Sequence, residues 1–294
     1  MIFCFVYKSQ ILHYMKIIMS HLPIPPKGCF YDLNVPYDEN QKHMDSVLTT
    51  FKELGYSVLA FSKYIPSGSL KRGGKKKRLQ LPTPPDKVNF DGITQLSRIT
   101  IELSEVDDQI TVRDVITHGG FDIIAVEPKT EKLFLSACTQ LNIDIITFDG
   151  AEKLSFFLRT HQVRAAIARG IHFEFNYSPM VRDPTMRKLT TTCALRLVEC
   201  CKSKNIIMSS KSLHPLELRG PYDVANLGIL FTMKESMVPH LVSHNCRCVV
   251  VHSFARKTAK GAVFIQKIES SDSNMLKRQA EICDDEAKKA KLEL

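Results

Sequence analysis

Apolar residues along this chain fall into short runs, separated by stretches in which they recur at helical spacing. The runs at 29–35, 56–62, 97–103, 121–126, 143–148, 163–168, 171–177 and 205–209 are predicted strands. Helical periodicity marks 39–54, 108–118, 129–141, 150–158 and 185–203. FDIIAV at 121–126 and IDIITF at 143–148 are almost wholly apolar, which suits strands covered on both faces, as in a parallel sheet. About eight strands alternating with helices over roughly 240 residues favour an α/β fold closed as a TIM-like (β/α) barrel. No G-x-G-x-x-G follows the first strand, so a dinucleotide site has no support.

Helix punctuation agrees with these elements. Asp183-Pro184 supplies a cap and a first-turn proline for the helix at 185–203, and Gly220-Pro221 does the same for one starting near Tyr222. Gly55 ends the first helix. Residues 63–96 hold eight Gly and Pro residues and read as a long, mobile loop where a barrel helix would otherwise sit. The expected organisation is an N-terminal extension at 1–28 outside the fold, a barrel domain at 29–268, and a polar, disordered tail at 269–294. Residues 1–19 are apolar but interrupted by Lys8, Gln10, His13 and Lys16, so they make neither a membrane span nor a signal peptide.

The net charge of +9 is unevenly placed. The KRGGKKKR run at 71–78 carries six basic groups and no acidic one, and 159–196 holds seven basic against two acidic. A near-neutral body with a basic loop and one basic segment suits a polyanionic partner, although Lys and Arg kept for solubility give the same totals. Nine cysteines without framework spacing read as reduced and intracellular. His240, His244, Cys246 and Cys248 form H-x₃-H-x-C-x-C, where a helical pattern at 234–244 passes into a strand-like run at 248–252. The thiolate spacing is too tight for a usual zinc motif, so ordinary buried Cys and half-exposed His are preferred.

Several strings resemble one family, the thirty-kilodalton barrel-type protein subunit of ribonuclease P, shared with ribonuclease MRP. RGPYDVANLG at 219–228 is the most specific, joined by EPKTEKLF (127–134), YSPMVRDPTMRK (177–188), LSRITI (96–101), ELGYSVLAF (53–61) and RKTAKG (256–261). The resemblance implies a barrel related to the polymerase-and-histidinol-phosphatase type, and a role in removing the 5′ leader of precursor tRNA. It implies that the RNA subunit performs the hydrolysis with magnesium, this chain binding no cofactor itself. The implied partners are that catalytic RNA with precursor tRNA, a small ferredoxin-like protein subunit and other proteins of the two complexes. One departure stands out: Ala168 occupies the place before Arg169-Gly170 where the family is expected to carry an acidic residue.

In a barrel of this kind the loops leaving the strands' C-terminal ends form the functional face. Lys129 and Lys132 begin the helix after strand 121–126. Arg169 sits in a tight link before strand 171–177, and Arg187 and Lys188 occupy the first turn of the helix at 185–203. Arg219 precedes another helix start. Cations beside free helix N–H groups suit phosphate, so these form the candidate RNA-binding set, with a surface ion pair as the ordinary alternative for each. Arg98 joins them, although an Arg inside a barrel strand is better explained by a structural ion pair. Lys277-Arg278 and Lys288, Lys289 and Lys291 are spaced like a bipartite nuclear localisation signal, implying residence in nucleus and nucleolus.

A metal-dependent phosphoesterase of the related barrel type is the competing enzyme reading. It needs converging His and acidic ligands, and the chain contains no H-x-H. The first strand offers Asp32 and the weak donor Asn34, while His172, His214 and His252 are candidates by position alone. For Asp32 a strand-end cap or a Lys partner at the barrel mouth is preferred. A pure protein scaffold that never touches RNA is the third reading, supported by the small net charge of the body.

Overall fold

The structure is a computed structural model that describes residues 25, 28–69, 82–86, 88, 90–150 and 154–257. The N-terminal apolar stretch, the basic run at 71–78 and the proposed import signal therefore lie outside the described residues. Two compact units are distinguished, the first ending at Phe254 and the second starting at Ala255, and the barrel lies wholly in the first.

Seven strands pair in parallel in simple chain order: β1 (Tyr31–Pro36), β2 (Val58–Ile65), β3 (Thr94–Leu103), β4 (Ile123–Pro128), β5 (Ile145–Thr147), β6 (His172–Asn176) and β7 (Ile206–Ser209). The helices between them are α1 (Gln41–Glu53), α2 (Asp108–His118), α3 (Glu131–Thr139), α4 (Thr160–Ala168), α5 (Ser178–Arg182) and α6 (Pro184–Cys201). After β7 come α7 (Pro221–Leu230) and α8 (His244–Lys257). No helix among the described residues is long and apolar enough to cross a membrane.

Local chemistry explains most boundaries. Met44, Val47, Leu48 and Phe51 bury one stripe of α1, and Gly55 leaves the helix at φ +92°, where a Cβ would be strained. Asp183 accepts from the Met186 amide at 2.9 Å and Pro184 fills the first turn, so α6 starts where the sequence marks it.

Three elements differ from the sequence reading. Residues 163–168 are helical, within α4: Val163 and Ala166 share the buried face while Arg164 is exposed, and the alanines favour helix. This leaves seven strands among the described residues rather than eight. No helix forms over 154–158, and Gly150 is held against α6, where a Cβ would collide with the Thr190 hydroxyl. The valine run near 248–252 is not a strand. A 3-10 stretch (Glu235–Val242) containing Pro239 leads directly into α8, whose Val249 and Val250 are fully buried. Tertiary packing overrides β-propensity there.

The strands alternate cleanly. Ile99, Ile101, Ile124, Val126, Ile146, Phe173, Phe175 and Met208 face the outer helices in the largest core. Tyr31, Leu33, Val58, Ala60, Leu96, Ile123, Ala125, Ile145 and Ile207 share an apolar cluster with Cys246, Val249 and Val250 of α8. That cluster draws on all strands but β6, so it is the inside of the barrel's N-terminal end, and α8 is its floor.

Closure occurs where β1 meets β7. The Lys211 amide donates to the Asn34 carbonyl at 2.9 Å. Asp32 bridges the same seam, accepting from the amides of Asn34 at 3.0 Å and Ser210 at 2.9 Å. A register shift in β1 between Asp32 and Val35 turns the Asn34 side chain into the barrel, beside Glu174 and Asn176.

Candidate nucleic-acid interface

Above the apolar floor, the inward positions turn polar. Arg98 has no exposed surface, and its guanidinium meets Glu174 through two parallel bonds of 2.6 Å each. It also donates to the Leu33 carbonyl at 2.6 Å and to Thr100 at 3.1 Å. Glu174 further accepts from Ser209 at 2.8 Å, and Asn34 links it to Asn176 and on to Thr147. Four hydrogen bonds thus converge on the Glu174 carboxylate across the barrel, as a buried ion pair requires. Arg98 belongs to this plug and offers no surface to RNA. Its partner Glu174 was not singled out from the sequence. The signal was there: His172, Glu174 and Asn176 are polar at a period of two in an otherwise buried strand.

Among the described residues Asp32 pairs with no lysine. Its two backbone donors stabilise the charge, yet burial dominates and pushes its carboxyl up to about 6. Among the described residues no group of three His, Cys, Asp or Glu side chains converges as a metal site would need. His214 is exposed beside the short 3-10 turn Pro215–Glu217. His172 is buried and held down to about 4 by desolvation, and His252 sits between Asp144 and the Arg169 carbonyl. Cys248 lies 3.6 Å from His244, whose ring is 5.3 Å from that of His240, while Cys246 turns away to the Leu241 carbonyl inside the floor.

The remaining cations divide between the two ends of the barrel. Arg169 precedes β6, at the N-terminal end. Its guanidinium donates to the carbonyls of Ala137, Cys138 and Leu141, closing the C-terminus of α3. It is positioned by backbone and has no need of the acidic neighbour that Ala168 replaces. The link it occupies joins a helix, not a strand, to β6.

At the C-terminal mouth, Lys129 lies between β4 and α3, with its ammonium 2.8 Å from Glu127. Lys132 is exposed in the first turn of α3. Past β6, α5 interposes a short turn before α6, and there Arg187 and Lys188 are both exposed. Arg187 donates to the Met180 carbonyl at 2.8 Å. Arg219 is half-buried, with its backbone clamped between the hydroxyls of Tyr56 and Tyr177 and its guanidinium on the Leu216 and Leu218 carbonyls. Arg182 pairs with Glu217 through bonds of 2.7 and 2.8 Å, leaving Asp183 to its capping role.

Lys211, directly after β7, is a mouth cation the sequence reading passed over, although it follows its strand much as Lys129 follows β4. Its ammonium is 3.6 Å from Asp149 and 5.9 Å from the Tyr64 ring centre. Two cavities open here. One of about 50 Å³ is lined by Asn34, Ser62, Tyr64, Thr100, Glu127 and Lys211 among others. The other, about 280 Å³, lies between the ends of β4 and β5 and shares Glu127.

Residues 29–258 match the family model described as RNase P subunit p30. The chain is 39% identical over 241 residues to the ribonuclease P protein subunit p30 of Mus musculus, covering 80% of this chain and 90% of that one. It is 27% identical to the ribonuclease P/MRP protein subunit RPP1 of Saccharomyces cerevisiae, over 67% of this chain and 71% of the yeast protein. A chain in the cryo-EM structure of archaeal ribonuclease P with mature tRNA superposes with a TM-score of 0.57 at 14% identity, covering 81% of this chain and 99% of that one, a likeness of fold. With the family match spanning every strand of the barrel, this chain belongs to the RNase P subunit p30 family.

Proposed function

We propose that the chain works as a protein subunit of ribonuclease P, supporting RNA-catalysed removal of the 5′ leader from precursor tRNA, and that ribonuclease MRP shares it. The family match over the whole barrel carries this reading. The geometry supports a way of working: the barrel interior is filled by the Arg98–Glu174 plug, while Lys129, Lys132, Arg187 and Lys188 stand near helix starts around the mouth and Arg219 precedes α7. Such cations neutralise phosphates and do no acid–base chemistry. The RNA subunit supplies the magnesium-dependent hydrolysis, and a small ferredoxin-like subunit is the protein partner in this reading. Lys277, Arg278, Lys288, Lys289 and Lys291 direct the chain to nucleus and nucleolus.

Reconstitution of the complex with Arg187→Ala and with Arg219→Ala tests the phosphate role. RNA affinity should fall and the salt slope should drop by about one contact for each, with turnover at saturation retained. Normal affinity with collapsed turnover would make the residue catalytic. Normal affinity and turnover with lost partner-subunit binding would leave a protein scaffold.

A further inference from the structure

Resting on the RNA-binding reading, we propose that the cavity between the ends of β4 and β5 receives one unstacked nucleobase of single-stranded RNA. Its volume of about 280 Å³ lies near the lower end of small-molecule sites, roughly 300 Å³, and suits one planar ring system better than a stretch of strand. Pro128, Phe148 and Phe156 give it flat apolar walls, and Glu127, Lys129 and Asp149 give it polar edges. This is the combination that holds splayed-out bases: an aromatic face for stacking, and hydrogen-bonding groups for the base edge.

The walls are fixed before any ligand arrives. Phe148 stacks on Phe173 within the core at an interplanar angle of 5°, and Phe156 packs on Phe134 at 5.3 Å. The described residues on either side of 151–153 are each held in place. Thr190 of α6 donates to the Gly150 carbonyl at 3.0 Å, and Ser155 donates to the Lys129 carbonyl at 2.6 Å. A preformed slot spares the entropy of ordering it. Phe157, next in the loop, leaves its ring 83% exposed.

The edge groups are also suitable. Glu127 is only 2% exposed, and the Lys129 ammonium approaches its Oε1 at 2.8 Å. Among the described residues Oε1 accepts no hydrogen bond that meets ordinary geometry, so it keeps capacity to accept. An acceptor therefore lies at the edge of the slot, and adenine and cytosine present the complementary amino donor. Lys129 at the lip also faces the phosphates that flank an inserted base.

The test compares binding of the full chain to a short single-stranded oligoadenylate and to an abasic ribose-phosphate chain of equal length and charge, across salt. The wild type should bind the abasic chain roughly tenfold more weakly. Phe156→Leu, which keeps apolar bulk and loses the ring, should weaken oligoadenylate binding while leaving abasic binding and the salt slope unchanged. Glu127→Gln is a second probe, since an amide in place of the carboxylate weakens the edge contact without opening the slot. Equal wild-type affinity for the two chains, or unchanged oligoadenylate binding by both variants, overturns the base site and leaves the phosphate reading standing. Failure to bind either chain at low salt overturns the RNA reading as well.

Discussion

The two ends of this barrel carry similar residues and use them differently. At the N-terminal end Arg169 spends its guanidinium on three carbonyls of α3, His252 lies between Asp144 and the Arg169 carbonyl, and α8 covers the strands with Val249, Val250 and Cys246. At the C-terminal mouth Lys132, Arg187 and Lys188 remain exposed, and two cavities stay open. An arginine close to a helix end is therefore no guide to function until the strand end it serves is known. Carbonyls at a helix C-terminus absorb a cation, whereas amides at a helix N-terminus invite an anion.

The plug between the two ends should give the largest effect. Glu174→Gln leaves Arg98 charged and uncompensated in a site with no solvent exposure, and should cost about 3–5 kcal/mol in denaturant unfolding. Replacing both partners, as Arg98→Met with Glu174→Leu, should recover much of that loss. A Glu174→Gln chain as stable as the wild type would mean that water reaches the plug and the two ends are not separated.

Acid should then act on two buried groups in opposite directions. Burial lowers His172, near the floor, from 6.5 to about 4, so its contribution is present above pH 6.5 and lost as pH falls through 4, about 3 kcal/mol in all. Burial raises Asp32, at the seam, from 3.8 to about 6, so folding gains below pH 3.8 what it gives up as pH rises through 6. Unfolding curves between pH 4 and 7 should show partial cancellation, and His172→Gln should unmask a stability that falls as pH rises. An unchanged profile in that variant would refute the assignment to His172.

Arg169→Ala should destabilise by about 1–3 kcal/mol, the cost of charge-assisted bonds lost from the end of α3, with an unaltered salt slope for RNA binding. A normal melting curve with weakened RNA binding would erase the contrast between the two ends. Lys188→Ala is the smallest and complementary case. Stability should stay within about 0.5 kcal/mol, while the salt slope drops by about one contact.

How much of this could be read from the chain follows from what each signal encodes. Parallel strands buried on both faces and capped helices such as α6 are local patterns, and they were legible. The helix at 160–168 was misread because a short apolar run looks alike in either period, and the valines of α8 because their burial depends on a barrel end that exists only in three dimensions. Lys129 and Lys132 follow β4, and Arg187 and Lys188 follow β6, as expected, since order along a β/α repeat fixes which strand end a loop leaves. Arg98 and Glu174 are 76 residues apart, and nothing local joins them.

The seam between β1 and β7 carries a consequence for how the chain is made. Asp32 must find Ser210, 178 residues further on, before the ring can shut, and the α8 floor follows later still. On the ribosome, then, the first six strands emerge as an open arc whose leading edge waits for the seventh, with its unpaired amides exposed. Ring closure is a late event in synthesis, and truncation anywhere before residue 210 yields an unfinished arc in place of a smaller barrel.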